Sequence, residues 1–526
     1  MTLSRINASA ATLTKNRTEG SISAISGMCA TCIDGCIGMC EIGKSAYRGA
    51  EAIYPQPFGI ITTGAEKDYP VDLSHFTILG TVIGAKGIEE SPDKAIFTNV
   101  NLERTIGVGG SIKIKLPVMI GAMGSTAIAK NNWEGLAIGA AITGIPLTIG
   151  ENVCGMDPGS KIVNGKVVHS PELERRVKLY KDWQQDGYGI VILQTNIEDT
   201  KLGVDKYAIS QLGVEAIELK WGQGAKDIGG EVKIENLDRA RLLKERGYIL
   251  LPDPDSPTVV EAFKQGKFKE FERHSRVGMV TEEGFIARVE ELRKRGAKYI
   301  SLKTGAFRPA DLARALKFCS KAKVDFLTVD GAGGGTGMSP WRMMNEWGLP
   351  GVHLWSLAFK FAEKLAAKGE HLPDIAVAGG FTFEDQIFKG LALGAPYVKA
   401  ISMARAPMAA AMVGKTIGKR MAEKQVPVYI ERFGTSPEEV FITAPELKER
   451  FGNDFERIPT GALGLYTYMQ RLDQGLRQIA AGSRKFALEY ITRNDIAALT
   501  EEAAKISGIC YVTEVDKEEA YKILDA

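Results

Sequence analysis

The sequence has no run of about 18 apolar residues, the length that a membrane-spanning helix requires. Its first twenty residues lack the apolar core of about 7–15 residues that marks a secretory signal peptide. An excess of charge is missing too, since 66 Lys and Arg residues balance 64 Asp and Glu residues. Proteins that bind nucleic acid as their main partner carry a clear basic excess. We therefore expect a cytoplasmic protein whose partners include neither a membrane nor a nucleic acid.

Cysteine is scarce, yet four of the seven cysteines fall within one short, glycine-containing segment, GMCATCIDGCIGMC. The spacing is C-x2-C-x3-C-x3-C, and the four residues are Cys29, Cys32, Cys36 and Cys40. A disulfide framework is not expected in the reducing cytoplasm. Closely spaced thiolates on a tightly turning backbone favour an iron–sulfur cluster, which we predict to be 4Fe-4S. Structural zinc and unligated redox thiols are the alternatives.

The length of the chain and the changes in its residue pattern predict four parts. Residues 1–44 form an N-terminal segment that carries the iron–sulfur-type motif. Residues 45–115 are rich in turn signals and predict an irregular domain ahead of a barrel over residues 116–425. Residues 426–526 predict a mixed, mainly helical C-terminal extension that packs on the outside of the barrel.

The barrel prediction depends on eight short apolar runs that alternate with helical patterns. The runs are at 118–122, 146–151, 189–196, 216–223, 299–305, 324–331, 374–380 and 397–402. Nearly continuous apolar strands are typical of a parallel sheet that is covered on both faces. Eight such units predict an α/β fold of the (β/α)8 TIM-barrel type, with an open doubly wound sheet as the alternative. Residues 224–280 are too long for a simple connection and predict an insertion.

Chemically useful residues lie at the C-terminal ends of the predicted strands or directly after them, where a barrel of this type has its active site. They include Glu151, Gln223, Lys226, Lys303 and Asp330. Glycine-rich strand ends let backbone amides approach a phosphate, and helix N-termini add favourable dipoles. This combination favours FMN, with Lys303 beside the flavin edge that becomes negative on reduction. Plain glycine turns and a solvated lysine are the simpler interpretations.

Several motifs, in order, resemble the FMN-binding synthase domain of glutamate synthase. QGAKDIGG at 223–230 is similar to the family's QGAKPGxGG loop, and VDGAGGGTGMSP at 329–340 resembles its GGTGxSP stretch. AGG at 378–380, ALGA at 392–395 and ARAPM at 404–408 resemble its last-strand phosphate region. IGEN at 149–152 stands where the family has GEGG. The resemblance covers residues 116 to about 425.

The resemblance implies that ammonia condenses with 2-oxoglutarate and that reduced FMN delivers hydride to the resulting imine, giving L-glutamate. By position, Glu151 and Lys226 match the family's active-site acid and lysine. A salt bridge between them that only closes the rim is the structural alternative. The residues expected to bind the cofactor are Ala122, Met123, Gln223, Lys303, Asp330, Gly334, Gly335, Gly379, Gly380, Ala404 and Arg405.

The sequence also departs from the family. The family's synthase domain has three cysteines for a 3Fe-4S cluster after the last barrel strand, whereas residues 404–434 contain none. We expect the N-terminal motif to replace that cluster, as in short archaeal-type glutamate synthase-like proteins. The chain starts MTLSR, without a catalytic cysteine or a glutaminase domain. We therefore expect free ammonia or a separate glutaminase subunit to provide nitrogen. Ferredoxin or an NAD(P)H-oxidising partner should provide electrons. We also expect the protein to be a homo-oligomer.

Other functions are compatible with a similar barrel. A related FMN enzyme could act on another 2-oxo acid or amine, as an N-methylglutamate synthase does. A hydroxy-acid oxidase would need a histidine base at the rim, and none of the five histidines ends a predicted strand. The remaining alternative is an electron-transfer subunit that holds FMN and a cluster.

Overall fold

The computed structural model describes residues 69–108, 112–222, 224, 232–332, 334, 339–340, 343 and 346–526. The four-cysteine segment lies outside these residues. The strands, in chain order, are β1 (Phe76–Ile78), β2 (Arg104–Ile106), β3 (Ile112–Ile114), β4 (Val118–Met123), β5 (Leu147–Ile149), β6 (Lys161–Val163), β7 (Lys166–His169), β8 (Val191–Thr195), β9 (Ala216–Lys220), β10 (Val232–Ile234), β11 (Ile249–Leu251), β12 (Phe271–His274), β13 (Tyr299–Thr304), β14 (Phe326–Asp330), β15 (Asp374–Ala378), β16 (Val398–Met403) and β17 (Ile496–Ala498).

The helices of the described residues are numbered in the same way. They are α1 (Ala127–Thr143), α2 (Val153–Met156), α3 (Pro171–Lys181), α4 (Ile197–Leu202), α5 (Val204–Leu212), α6 (Leu237–Glu245), α7 (Pro257–Lys264), α8 (Glu282–Lys294), α9 (Pro309–Lys321), α10 (Gly351–Ala366), α11 (Glu384–Leu393), α12 (Arg405–Ala422), α13 (Val428–Glu431), α14 (Pro437–Val440), α15 (Ala444–Phe451), α16 (Thr460–Gly482), α17 (Glu501–Ser507) and α18 (Lys517–Asp525).

Eight parallel strands form a closed barrel in the order β4-β5-β8-β9-β13-β14-β15-β16, and β16 pairs back onto β4. Each strand lies largely within one of the eight apolar runs singled out in the sequence. The runs are apolar because both faces of each strand are covered. In β8, for example, all five residues are buried. The closed pairing confirms the predicted (β/α)8 barrel and excludes the open doubly wound sheet.

The hairpin formed by β2 and β3 closes the N-terminal end of the barrel. Its side chains Ile106, Ile112 and Ile114 are buried in one cluster with residues from the starts of barrel strands, including Met119 and Phe326. This end is therefore filled by apolar packing. The charged strand ends predicted to hold the active site lie at the opposite, C-terminal end.

The C-terminal extension packs on the outside of the barrel, as predicted. Its long helix α16 lies against α12, where the two backbones approach closely. A Cβ at Gly414 of α12 would meet the carbonyl oxygen of Thr460 at 2.4 Å, so only glycine fits at this contact. Strand β17 of the extension pairs with β1 in antiparallel register.

The predicted insertion is present as a small unit between β9 and α8. Strands β10, β12 and β11 form an antiparallel sheet, and α6 and α7 accompany it. Its core joins Ile234, Leu243, Tyr248 and Phe271 to Met156, which belongs to α2 of the barrel. The insertion is thus anchored on the turn that follows β5.

Residues 69–102 and the C-terminal extension contribute to the main hydrophobic cluster of the barrel, which includes Val71, Phe76, Leu102, Ile496 and Ile509. The proposed domain boundaries at 44, 115 and 425 stay predictions. Among the described residues, no helix has the length and apolar character needed to span a membrane.

Candidate active site

Two oppositely charged residues lie side by side at the C-terminal ends of neighbouring strands. Lys303 is near the end of β13, and Asp330 ends β14. The Lys303 Nζ atom is 3.1 Å from Asp330 Oδ2, and both side chains are about one-tenth exposed. Burial acts to lower the pKa of Lys303, but the nearby carboxylates of Asp330 and Glu218 outweigh it and raise that pKa. Lys303 therefore provides a permanent positive charge at this rim.

Glu218 lies inside the barrel below this pair. Its Oε1 accepts a 2.6 Å hydrogen bond from Gln194 Nε2, and its Oε2 accepts a longer 3.5 Å bond from Thr328 Oγ1. Because Glu218 is on β9 and Thr328 is on β14, with β13 between them, this contact crosses the barrel interior. Burial raises the pKa of Glu218, while the positive charges of Lys303 and Lys220 oppose the shift.

A second charged pair lies beside the first. Lys220 ends β9, and its Nζ atom is 2.5 Å from Oε1 of Glu151 in the turn after β5. The Lys220 side chain is 12% exposed and that of Glu151 is 17% exposed, so both atoms are reachable from the rim but largely desolvated. Lys220 and Lys303 are register partners in the sheet, which directs both side chains to the same face.

The turn that carries Glu151 is fitted closely to the end of β4, where Ala122 and Met123 were expected to contact the cofactor. The Gly150 N–H donates a 2.8 Å hydrogen bond to the Met123 carbonyl. A Cβ at Gly150 would meet the Gly124 nitrogen at 2.5 Å, so glycine is required for this approach. The β4 end is itself held by the buried Arg176, whose Nη1 donates to the carbonyls of Met123 and Gly124.

The other predicted cofactor residues that are described also lie at the C-terminal rim. Gly379 and Gly380 follow β15 with φ angles of +113° and +105°, a conformation that side chains rarely adopt. Gly334 packs so closely that a Cβ would meet Asp330 Oδ1 at 2.6 Å. Ala404 and Arg405 are exposed where α12 begins.

Seven predicted residues lie outside the described part of the chain: Gln223, Lys226, Gly335, Cys29, Cys32, Cys36 and Cys40. Their roles stay predictions. Within the described residues, no group of three or more His, Cys, Asp and Glu side chains is arranged to hold a metal ion.

Sequence reasoning missed Lys220 and Glu218, the two charged residues of the strand AIELK. They are two positions apart, so they face the same side of the strand. That alternation within an apolar run was a usable signal of inward-facing charge. Their individual partners, by contrast, depend on the closed barrel and could not be read from the strand alone.

The rim fits a ligand that has polar atoms and a ring. Inside the barrel, Gln194 Oε1 has no hydrogen-bond partner among the described residues, although Nε2 of the same side chain donates to Glu218. Buried polar groups normally have a partner, so this oxygen is suited to a bound polar molecule. A Cβ at Gly380 would meet no described atom within 4 Å. Together with the cation of Lys303, these features fit FMN.

The fold and the charged C-terminal rim define the chain as a barrel protein with an enzyme-like site. The family profile described as "Conserved region in glutamate synthase" matches residues 88–241 and 274–415, more than half of the chain. The chain belongs to the glutamate synthase family, and this membership supports an FMN-dependent oxidoreductase. The profile skips residues 242–273, which form most of the insertion.

The chain is also similar to individual proteins. It is 29% identical over 191 residues to the glutamate synthase large subunit-like protein YerD of Bacillus subtilis (strain 168). That match covers 35% of this chain and 32% of YerD, so the chain matches about a third of this relative's length.

Two solved structures are similar to this chain at lower sequence identity. A flavocytochrome b2 variant with pyruvate bound has a TM-score of 0.46 and 11% identity, covering 81% of this chain and 77% of that one. A mandelate oxidase variant has a TM-score of 0.44 and 14% identity, covering 85% of this chain and 97% of that one. The barrel assignment rests on the strand pairing of this chain.

Proposed function

We propose that the protein is an FMN-dependent oxidoreductase that aminates 2-oxoglutarate reductively, through 2-iminoglutarate, to L-glutamate. The observation that carries this proposal is the Lys220–Glu151 pair at the rim, next to the buried Lys303–Asp330 pair. Family membership supports the same class of reaction. Another 2-oxo acid or amine as the substrate is the alternative.

The first half of the reaction needs proton transfer and charge stabilisation. The ammonium of Lys220 is suited to attract a substrate carboxylate at the rim. The Glu151 carboxyl is suited to move protons as ammonia adds to the carbonyl carbon and water leaves. The Lys220 ammonium and the Glu151 carboxylate are only 2.5 Å apart. The carboxylate of an incoming substrate would therefore replace Glu151 as the partner of Lys220.

The second half of the reaction needs a hydride and a proton. When bound in its reduced form, FMN would supply the hydride that converts the imine into the amino acid. Lys303, whose positive charge is stabilised by two carboxylates, would balance the negative charge of a reduced flavin ring. The glycine turns at Gly379 and Gly380, with the N-terminus of α12, are suited to bind the phosphate.

The proposal also covers the supply of electrons and nitrogen. Its basis is the spacing of Cys29, Cys32, Cys36 and Cys40, which favours an iron–sulfur relay. Ferredoxin or an NAD(P)H-oxidising partner would feed this relay. Ammonia would enter directly or from a separate glutaminase subunit.

The test uses the purified full-length protein under anaerobic conditions. After photoreduction of the flavin, 2-oxoglutarate plus ammonium should reoxidise it and yield L-glutamate, whereas either compound alone should not. Pyruvate, oxaloacetate and methylamine test the neighbouring substrates. If no 2-oxo acid reoxidises the flavin, the enzymatic proposal is wrong and an electron-transfer subunit is favoured.

The variant Lys220→Met tests the residue that carries the proposal. It should lower the reoxidation rate constant by about a hundredfold or more, the usual effect of removing a preorganised charge. Lys233→Met is a matched control, because Lys233 pairs with Glu272 at 2.7 Å in the insertion with similar exposure, 9% and 19%. The control should lose comparable thermal stability but keep its rate within about twofold. Equal rates in the two variants would contradict the role of Lys220.

A further inference from the structure

The residue after Glu151 has an unusual backbone conformation. Asn152 has φ +66° and ψ +9°, in the left-handed region, and it is only 3% exposed. A non-glycine residue keeps this conformation where surrounding contacts stabilise it. Because Glu151 and Asn152 are consecutive, whatever fixes Asn152 also fixes the direction in which the Glu151 side chain leaves the turn.

Asp199, in the first turn of α4, provides one of those contacts. Its two carboxylate oxygens accept hydrogen bonds of 3.2 and 3.0 Å from the Asn152 N–H. One of them also accepts a 3.3 Å bond from the Asn196 N–H. Asp199 is 1% exposed, so this carboxylate joins the end of β8 to the turn after β5 in a desolvated environment.

Tyr248 provides the second contact, and it comes from the insertion. Its hydroxyl donates a 3.1 Å hydrogen bond to Asn152 Oδ1. The ring is 4% exposed and lies 4.9 Å from the guanidinium of the buried Arg273. A Cβ at Gly155 would meet the Tyr248 hydroxyl at 1.9 Å, so a residue without a side chain leaves room for this hydroxyl.

We propose that Asp199 and Tyr248 are positioning residues that hold the Asn152 turn so that the Glu151 carboxylate stays paired with Lys220. The insertion thereby acts on the chemistry of the barrel rim without contacting the substrate. This inference rests on the proposed role of Glu151. Tyr248 and Arg273 lie within residues 242–273, the stretch that the family profile does not match, so the contact comes from outside the matched part of the chain.

The contact is too specific to be explained by packing of the insertion alone. The aromatic and aliphatic side chains of its core, such as Leu243 and Phe271, already bury its apolar face. The Tyr248 hydroxyl adds a directed bond that reaches past this core to a residue adjacent to Glu151. A purely structural role would predict a loss of stability only, whereas a positioning role predicts a change at Lys220.

The variant Tyr248→Phe removes the hydroxyl and keeps the ring. Tyr180→Phe is the matched control, because Tyr180 is a buried tyrosine whose hydroxyl donates a 2.7 Å bond to the Ile145 carbonyl before β5 begins. Both should lower the thermal midpoint by similar amounts. Only Tyr248→Phe should lower the saturating reoxidation rate constant, by about tenfold, with the half-saturating 2-oxoglutarate concentration within about twofold.

A second measurement does not depend on turnover. The ion pair with Glu151 engages the Lys220 amine, so the rate at which acetic anhydride labels Lys220, followed by mass spectrometry, should rise in Tyr248→Phe and stay unchanged in Tyr180→Phe. Asp199→Asn, which keeps the size of the side chain, should act in the same direction as Tyr248→Phe.

The outcomes separate the two proposals. If the wild-type protein does not turn over 2-oxoglutarate, the proposed function is wrong, but the labelling of Lys220 still decides whether the network positions Glu151. If labelling of Lys220 in Tyr248→Phe and Asp199→Asn matches that in Tyr180→Phe, the positioning network is refuted.

Discussion

The substitution Lys303→Met removes a buried ammonium while nearly preserving the length of the side chain. Asp330 and Glu218 then keep their carboxyl groups in a desolvated barrel end without the cation that balances them. Breaking a buried ion pair by removing one partner typically destabilises a protein by about 3–5 kcal/mol. If Lys303 also binds FMN through a charge-assisted hydrogen bond, about 1.5–3 kcal/mol of binding free energy should be lost. That loss corresponds to an about 10- to 150-fold weaker affinity.

The chain contains a closely matched control for this change. Lys485 pairs with Asp495 at 3.1 Å, the same distance as Lys303 to Asp330, and the side chains are 11% and 10% exposed against 11% and 9%. The control pair belongs to the C-terminal extension and not to a barrel strand. Lys485→Met should therefore reproduce the loss of stability without the loss of flavin affinity.

The assay is a titration of each deflavinated protein with FMN, followed by quenching of the flavin fluorescence, with urea unfolding of the same samples. We expect similar losses of unfolding free energy in the two variants and a weaker FMN affinity only in Lys303→Met. If both variants bind FMN with affinities within about threefold of each other, Lys303 does not contact the flavin. The fluorescence titration is independent of any substrate, so it tests the cofactor separately from the reaction.

Two further predictions concern the cysteine motif and Asp199. Cys32→Ser should remove iron and acid-labile sulfide from anaerobically prepared protein and leave FMN in place, whereas stoichiometric zinc without sulfide would decide for the zinc alternative. Burial raises the pKa of Asp199 from 3.8 to about 7, with nearby Glu151 adding to the shift and Arg273 and the N–H donors of Asn152 and Asn196 opposing it. The folded protein then binds this proton more tightly than the unfolded chain, so the unfolding free energy should fall as pH rises from about 4 to about 7. Asp199→Asn should flatten this part of the stability profile in urea unfolding, and an unchanged slope would contradict the assignment.

The barrel could be predicted because its signal is local and repeated. Each strand is a short run that is apolar on both faces, and the helices between the strands follow their own period. The run GIVILQTN, for example, contains the five fully buried residues of β8. Glycines and charges at the C-terminal ends of such runs belong to one rim in any parallel barrel, which is why Glu151, Lys303 and Asp330 could be chosen from the sequence.

The partners of these residues could not be predicted, because they depend on closure of the barrel. Glu151 and Lys220 are 69 positions apart in the chain and meet only when β5, β8 and β9 are in register. By resemblance, the sequence predicted Lys226 as the active-site lysine that acts with Glu151, and Lys226 lies outside the described residues. Lys220 looked like part of a buried strand, although its spacing from Glu218 already indicated a shared inward face.

The Glu151–Lys220 pair depends on two supports of different origin. Arg176 donates hydrogen bonds to two carbonyls at the end of β4, and it lies within the stretch that the glutamate synthase profile matches. Tyr248 holds the neighbouring turn from a stretch that the profile does not match. A shift of about 1 Å at a catalytic group can change a rate by about a hundredfold. An insertion that docks on the turn after β5 can therefore alter the rate of the barrel's chemistry while every charged residue of the rim stays the same.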